Sequence, residues 1–277
     1  MTLSRTLRRV LARPIGVLGL ALVALVMLVA LTSLVWTPHD PLAINPSASW
    51  APFSAEHPLG ADALGRDTLS RVMAGSQITL ATAVLSVALA AVLGVLLGGL
   101  IVFSPAALSS LLERVVDLMV AFPTLLIAIM IATATGGATW GVIVAIGLGS
   151  VSTICRTILP ELRRSIRSDH VMLARSSGAG PGWLLVHHIL PEIGSTLLVR
   201  MTQLLGVATL AEAGLSFLGL GAPPPEPSWG RMLAENQSQI YARPEVLAVP
   251  AAVIVITIFG FNLLGDALRD AMDARET

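Results

Sequence analysis

Residues 15–35 read IGVLGLALVALVMLVALTSLV, an unbroken stretch without Asp, Glu, Arg or His. A bilayer core of about 30 Å needs roughly 20 apolar residues in a helix, so this stretch is long enough to cross one. It follows Arg5, Arg8, Arg9 and Arg13. A cleavable leader also begins with basic residues, but its apolar part runs only about 7–15 residues and ends at a small-residue site. No convincing site of that kind follows Val35, so the stretch is read as a retained first span.

The same search continues downstream. Val72 to Leu112 is free of charge, with its strongest part from Ile78 to Phe103 and a stop at Ser104-Pro105. Leu118 to Cys155 is also charge-free. Gly136-Gly137 divides it into a third and a fourth span of near-minimal length, and Pro123 sets a kink in the third. Ser195 to Leu220 is a fifth span although it holds Arg200 and Glu212, both placed near helix ends. Val246 to Gly265 is the sixth.

Composition agrees. Of 277 residues, 55% are hydrophobic and 12% charged, against about 25% charged in a typical soluble domain. Mean hydropathy is +0.81. Disorder, a nucleic-acid-binding surface and an ordinary soluble enzyme are excluded. Net charge is zero, and all 17 basic residues are Arg. Without Lys there is no Gly-x-x-x-x-Gly-Lys phosphate loop, so the chain does not hydrolyse ATP by that route. Cys155 is the single cysteine, which excludes an internal disulfide or a cysteine cluster. The five His are scattered and do not suggest a metal site.

Cytoplasmic loops carry an excess of basic residues. With the N-terminus inside, segments 1–14, 104–114, 156–200 and 266–277 hold thirteen Arg, and the remaining connections hold four. Both termini are therefore expected in the cytoplasm. The longest polar connection, about 156–194, far exceeds the 2–8 residues usual between packed helices. Ile158, Leu162 and Ile166 have helical spacing, with Arg163, Arg164 and Arg167 on polar positions. This predicts a folded helical platform.

Within it, residues 172–191 read MLARSSGAGPGWLLVHHILP. The pattern is helix, a glycine turn at 178–182, a second helix with an apolar face, and Pro191 as a boundary before the fifth span. This segment resembles the cytoplasmic "EAA" loop of ABC-importer permeases. Ala174, Gly178, Ile189, Leu190 and Pro191 match that pattern, while Met172 stands at its Glu and Leu173 at its first Ala. Further blocks narrow the resemblance: His57-Pro-Leu-Gly60 with Asp62, Gly65-Arg-Asp67 and Ser70-Arg71; Asp117 with Ala121-Phe-Pro123; Glu212 to Gly221; Pro224 to Gly230; and Asn262 to Asp266 with Leu268-Arg-Asp270 and Asp273. In this order they resemble the second, C-type permease of the dipeptide/oligopeptide/nickel importers, from about Ile15 to Asp273.

The resemblance implies an all-α polytopic membrane protein of the type I importer permease fold. It implies a segment 1–76 (tail, first helix, extracytoplasmic stretch) and a transmembrane domain 77–277. The ATPase-coupling residues would be Met172, Leu173, Ala174, Arg175, Gly178, Ala179, Gly180, Ile189, Leu190 and Pro191. The implied partners are a homologous second permease in a heterodimer, two ABC ATPase subunits that use ATP and Mg, an extracytoplasmic solute-binding protein, and inner-membrane lipid. The chain itself would bind no cofactor, metal or nucleic acid and would not be an enzyme. Its cargo would be di- or oligopeptides, with nickel or a metal chelate as the alternative. A stand-alone ion-coupled carrier would place several ionisable groups at mid-membrane, and spans three, four and six have none near their centres.

Among single residues, an ionisable group inside a span is a functional candidate. Glu212 is that candidate here, set against a helix-end carboxylate paired with Arg or a backbone donor. Arg200 reads as a snorkelling residue near the cytoplasmic end. Gly94 and Gly98 form a small-xxx-small pair for tight helix packing. His187 and His188 are adjacent and face different sides of a helix, so they do not chelate one ion. Trp229 is expected in an outer interface belt. Asp62 to Asp67 reads as a turn leading into a helix start.

Overall fold

The computed structural model describes residues 8–273; Arg5, residues 274–277 and the side chain of Asp273 lie outside them. The fold is all-α. Among the described residues the only strand-type pairing is an isolated bridge between Ala61 and Asp67.

Helix α1 (Pro14–Ser33) begins on proline, at the position where a missing N–H leaves no helical bond unmade. Helix α2 (Thr68–Phe103) is capped by Asp67, whose side chain accepts from the Ser70 amide. It starts ten residues before Ile78, where the apolar run sets in. The residues between are polar or small because they meet protein rather than lipid: Gly75 lies against Ser228 and Trp229. At 1.5 Å per residue, a helix of 36 residues outreaches the hydrocarbon layer.

The third span departs from expectation. Helices α3 (Ala106–Ala121) and α4 (Thr124–Ala134) meet at Phe122-Pro123 with a bend of 86°. Proline removes a helical N–H and pushes the residue before it out of helical geometry, and Phe122 has φ −81° and ψ 137°. This is a break rather than the kink that Pro123 suggested. The expected stop at Gly136-Gly137 is present, both glycines having φ near +70°, which they adopt without steric cost. Helix α5 (Thr139–Ser165) follows, with Pro160 inside it.

Beyond α5 come α6 (Asp169–Ser176), α7 (Pro181–Leu184), one π-helical turn (Leu185–Ile189) and α8 (Leu190–Phe217). Pro191 is not a boundary. It lies in the first turn of α8, and helix runs continuously from Pro181 to Phe217. The short α9 (Trp229–Asn236) and the long α10 (Glu245–Asp273) complete the chain. Helices α1, α2, α5, the run 181–217 and α10 are each long and apolar enough to cross a membrane, five in all among the described residues, or six when the bent pair is counted as one broken span.

Helices α2, α5 and α8 pack on one another as the central layer. A Cβ on Gly94 would stand 2.6 Å from Ile154, and one on Gly98 2.6 Å from Leu162. The two glycines thus let α5 approach α2 closely. A second cluster joins Val26 and Ala30 of α1, Leu80, Ala213, Trp229, Ile254 and Phe261. Trp229 is therefore not in an interface belt. It is fully buried, and its indole N–H donates to the Val72 carbonyl at 3.0 Å. Leu18, Leu25, Leu28 and Leu31 of α1 and Leu85, Val92 and Leu96 of α2 face outward.

Candidate functional site

The expected docking segment begins where α5 runs past its apolar part. Arg163 pairs with Glu113, and Arg156 with Asp117 at 3.2 Å, so α3 is tied along that end of α5. The Ser165 hydroxyl donates to Glu192, joining α5 to the first turn of α8. Helix α6 has Asp169 in its first turn and Arg175 in its last, signs that suit the helix dipole. Val171 is fully buried and anchors it, whereas its neighbours Met172 and Leu173 are 54% and 68% exposed.

Helix α6 ends at Gly178, with φ +90°. Ala179 N–H bonds the Ala174 carbonyl and Gly178 N–H the Arg175 carbonyl, a glycine-terminated helix end. Gly180 then caps α7, with Pro181 at its start. Leu184 and Ile189 are buried, and Trp183 and Val186 are exposed. Met172, Leu173, Trp183 and Val186 thus form an outward apolar set. Beside it lies a depression of about 490 Å³ lined by Ala174, Ser177, Gly178, Ala179, Gly180 and Trp183. A Cβ at Gly178, Gly180 or Gly182 would meet nothing within 4 Å. This face is open; it includes Met172, Leu173, Ala174, Gly178, Ala179 and Gly180 of the expected coupling residues together with Ser177, Trp183 and Val186, whereas Ile189 is buried. Leu190 and Pro191 lie behind it and continue into α8. The His187 ring stacks on Trp183 at 4.9 Å, with Nδ1 3.1 Å from the Trp183 carbonyl oxygen.

Glu212 sits in α8 one turn before its end and is buried at 2% exposure. No Arg meets it. Oε1 accepts from the Ser216 hydroxyl at 2.6 Å, Thr79 and Ser228 supply further polar surroundings, and Oε2 makes no hydrogen bond. The carboxyl is a polar knot between α2, α8 and the start of α9.

Residues 90–277 match the family described as "Binding-protein-dependent transport system inner membrane component". The chain belongs to that family. It is a permease subunit of an ABC transporter, a multi-pass protein of the inner membrane that works within a membrane-embedded complex. Over 280 residues it is 35% identical to a Brucella ovis protein described as a peptide permease, covering 99% of this chain and 91% of that protein. Over 222 residues it is 39% identical to the glutathione transport system permease protein GsiD of Escherichia coli O157:H7, covering 80% and 73%. The Pectobacterium atrosepticum GsiD is 37% identical over the same length.

The permease also holds polar clusters that sequence reasoning missed. At the end opposite the arginine-rich loop, Asp62 accepts from Arg66 at 2.7 Å and from Arg71, and both arginines bond Glu235 of α9 at 2.8 Å. Arg231 adds a further bond to Glu235 at 3.1 Å. Burial would raise the Glu235 carboxyl, but the charge and hydrogen bonds of Arg71, then of Arg66 and Arg231, hold it below its ordinary value. This network fastens the 57–71 segment to α9. The signal for it was Asp62 and Arg66 at helical spacing; nothing pointed to Glu235.

A second cluster contradicts the expectation that the histidines are dispersed. His39 and His57 converge on Asp67, with ring centroids 5.0 Å apart. Burial pushes the Asp67 carboxyl up, and bonds from Ser70 and His57 with the nearby His39 outweigh it, leaving the group below its usual value. At the arginine-rich end, Glu161, Arg164, Glu192, Arg200, Gln203 and Arg269 line a polar cavity of about 440 Å³. Arg200 is half-buried there, near Gln203.

Proposed function

We propose that this permease carries peptides handed over by an extracytoplasmic solute-binding protein. In this reading it pairs with a homologous second permease, and two ATPase subunits use ATP and Mg to drive alternating access. The observation that carries the proposal is the open face of α6, Gly178 and α7. It is an exposed apolar set at the tip of the rigid, ion-paired end of α5, where an ATPase surface would grip. The arginine-rich end is the cytoplasmic side, and both termini lie there. The peptide cargo rests on the relatives named as peptide and glutathione permeases.

When the ATPase pair closes, its pull on α6 passes into α5 and, through the Ser165–Glu192 bond, into α8. Those two helices belong to the packed layer, so the layer moves as a unit. A ligand or nucleotide biases such a change only by its difference in affinity for the two states. Glu212 braces the opposite ends of α2 and α8 during that movement. The test is gentle detergent purification of the chain with whatever it holds, followed by uptake in vesicles. Recovery of a second permease with an ATPase, and ATP-dependent uptake of short peptides, is the expected result. Activity of the chain alone under a proton gradient would overturn the reading, and uptake of nickel in place of peptides would reassign the cargo. A cysteine placed at Ser168 should resist an impermeant reagent applied from outside.

A further inference from the structure

We propose that His39, His57 and Asp67 form a binding site for a divalent first-row transition cation of the zinc class, resident in the permease and separate from its cargo. The three residues come from the connection after α1, the segment before α2, and the cap of α2. The chain folds back to bring one ligand atom from each within 4.8 Å of the others. His57 Nδ1 lies 3.0 Å from Asp67 Oδ1, and His39 Nδ1 lies 3.8 Å from Asp67 Oδ2. A tetrahedral centre with bonds of about 2.0–2.2 Å spaces its ligand atoms about 3.3–3.6 Å apart, so each histidine lies a few tenths of an ångström from that spacing, toward a different oxygen of Asp67.

Two further observations favour an ion. His39 Nδ1 is shielded from solvent and has no hydrogen-bond partner among the described residues, so this nitrogen is left for a ligand to satisfy. The carboxylate is already oriented from behind, since the Ser70 amide and hydroxyl hold Asp67 Oδ2 at 2.8 and 2.6 Å. The Ser70 hydroxyl oxygen also accepts from the His39 amide at 2.9 Å. Outer hydrogen bonds of this kind aim ligands at a metal. Two imidazoles and a carboxylate suit zinc, with the partly exposed side of His39 leaving room for water as a fourth ligand. Coordination through Nδ1 requires each neutral ring to carry its proton on Nε2, so the His57 ring would exchange its contact with Asp67 for one with the ion. The ion would staple the two connections to the first turn of α2.

The experiment uses the full chain in detergent micelles, purified through a tag without histidine and stripped with chelator. Cobalt(II) is titrated as a spectroscopic stand-in, then displaced by zinc. One equivalent should give a tetrahedral cobalt spectrum, and zinc should raise the melting temperature. His39→Gln should weaken cobalt binding about 100-fold, and its melting temperature in the metal-free state checks that loss of the ring's contacts with His57 and Asp67 has not unfolded the chain. His57→Gln should do the same, while His187→Gln should leave binding intact. Absence of the tetrahedral spectrum in the unaltered chain, or equal binding by His39→Gln, overturns the site.

Discussion

Gly178→Ala isolates the conformation of the docking turn from its bulk. Gly178 has φ +90°, and a Cβ there would meet nothing within 4 Å. The substitution is therefore sterically free toward the rest of the chain and strained only in its own backbone. An L-residue forced into the left-handed region costs about 1–2 kcal/mol. In the isolated permease the turn can relax, because its surroundings are open. Docking to the ATPase would impose the turn again, so the strain would be charged against the docked state. That energy corresponds to about a 5- to 30-fold loss in apparent affinity. Gly180→Ala is the matched control: it too has open space, but its φ is −76°, which alanine accepts. The assay is ATPase binding to the permease in nanodiscs, with substrate-stimulated ATP hydrolysis alongside. Gly178→Ala should weaken binding by that factor, Gly180→Ala should be near neutral, and Gly178→Arg, which adds bulk to the open face, should abolish transport while inserting normally. Equal behaviour of the two alanine variants, or normal uptake by Gly178→Arg, would refute the docking role.

Other substitutions test the layers beneath. Gly94→Ala should cost about 1–3 kcal/mol, because its Cβ would stand 2.6 Å from Ile154; a lowered detergent melting temperature measures it. Glu212→Gln should keep stability, since the amide oxygen still accepts from Ser216. Glu212→Ala should lose about 1–3 kcal/mol by stranding that hydroxyl, and a comparison of complex yields decides between them. Acid should loosen the 57–71 segment. Glu235 is held below its ordinary value of 4.5, so its contribution is complete above that pH and fades as pH falls through the lowered value. Proteolysis of the 57–71 segment as a function of pH would follow that loss, and Glu235→Gln should reduce the pH dependence to the part that Asp67 carries.

The spans were readable because lipid imposes one requirement along the whole of Ile15–Val35 or Ile78–Phe103, and that requirement is written locally. The glycine stop at 136–137 and the Gly94/Gly98 contact were readable for a related reason: glycine marks places where any side chain would be an obstacle. What depends on a distant partner was hidden. The helix start after Asp67 was legible, but the burial of Thr68–Gln77 was not, because its support is Trp229, some 150 residues away. Trp229 itself was misplaced because an amphipathic ring fits a membrane surface as well as a protein interior. In the docking segment the motif positions were legible, but the facing of each side chain was not: buried Val171 stands beside exposed Met172. Glu235, His39 and His57 gain meaning only when the chain folds back on them.

The break at Phe122-Pro123 bears on how the subunit fares in the cell. The Thr124 methyl packs against Gly149, ten positions after the start of α5 at Thr139, or about 15 Å along it. Opened backbone there would sit near the middle of the bilayer, and irregular chain at that depth is tolerated only when covered by protein or facing trapped water. Phe122 is exposed in the single chain. A copy made in excess of its complex would carry this defect into the lipid, visible to membrane proteases, and would be cleared. One proline thus leaves the uncovered chain at a disadvantage in lipid, and overexpression of the lone chain should raise its turnover rather than its abundance.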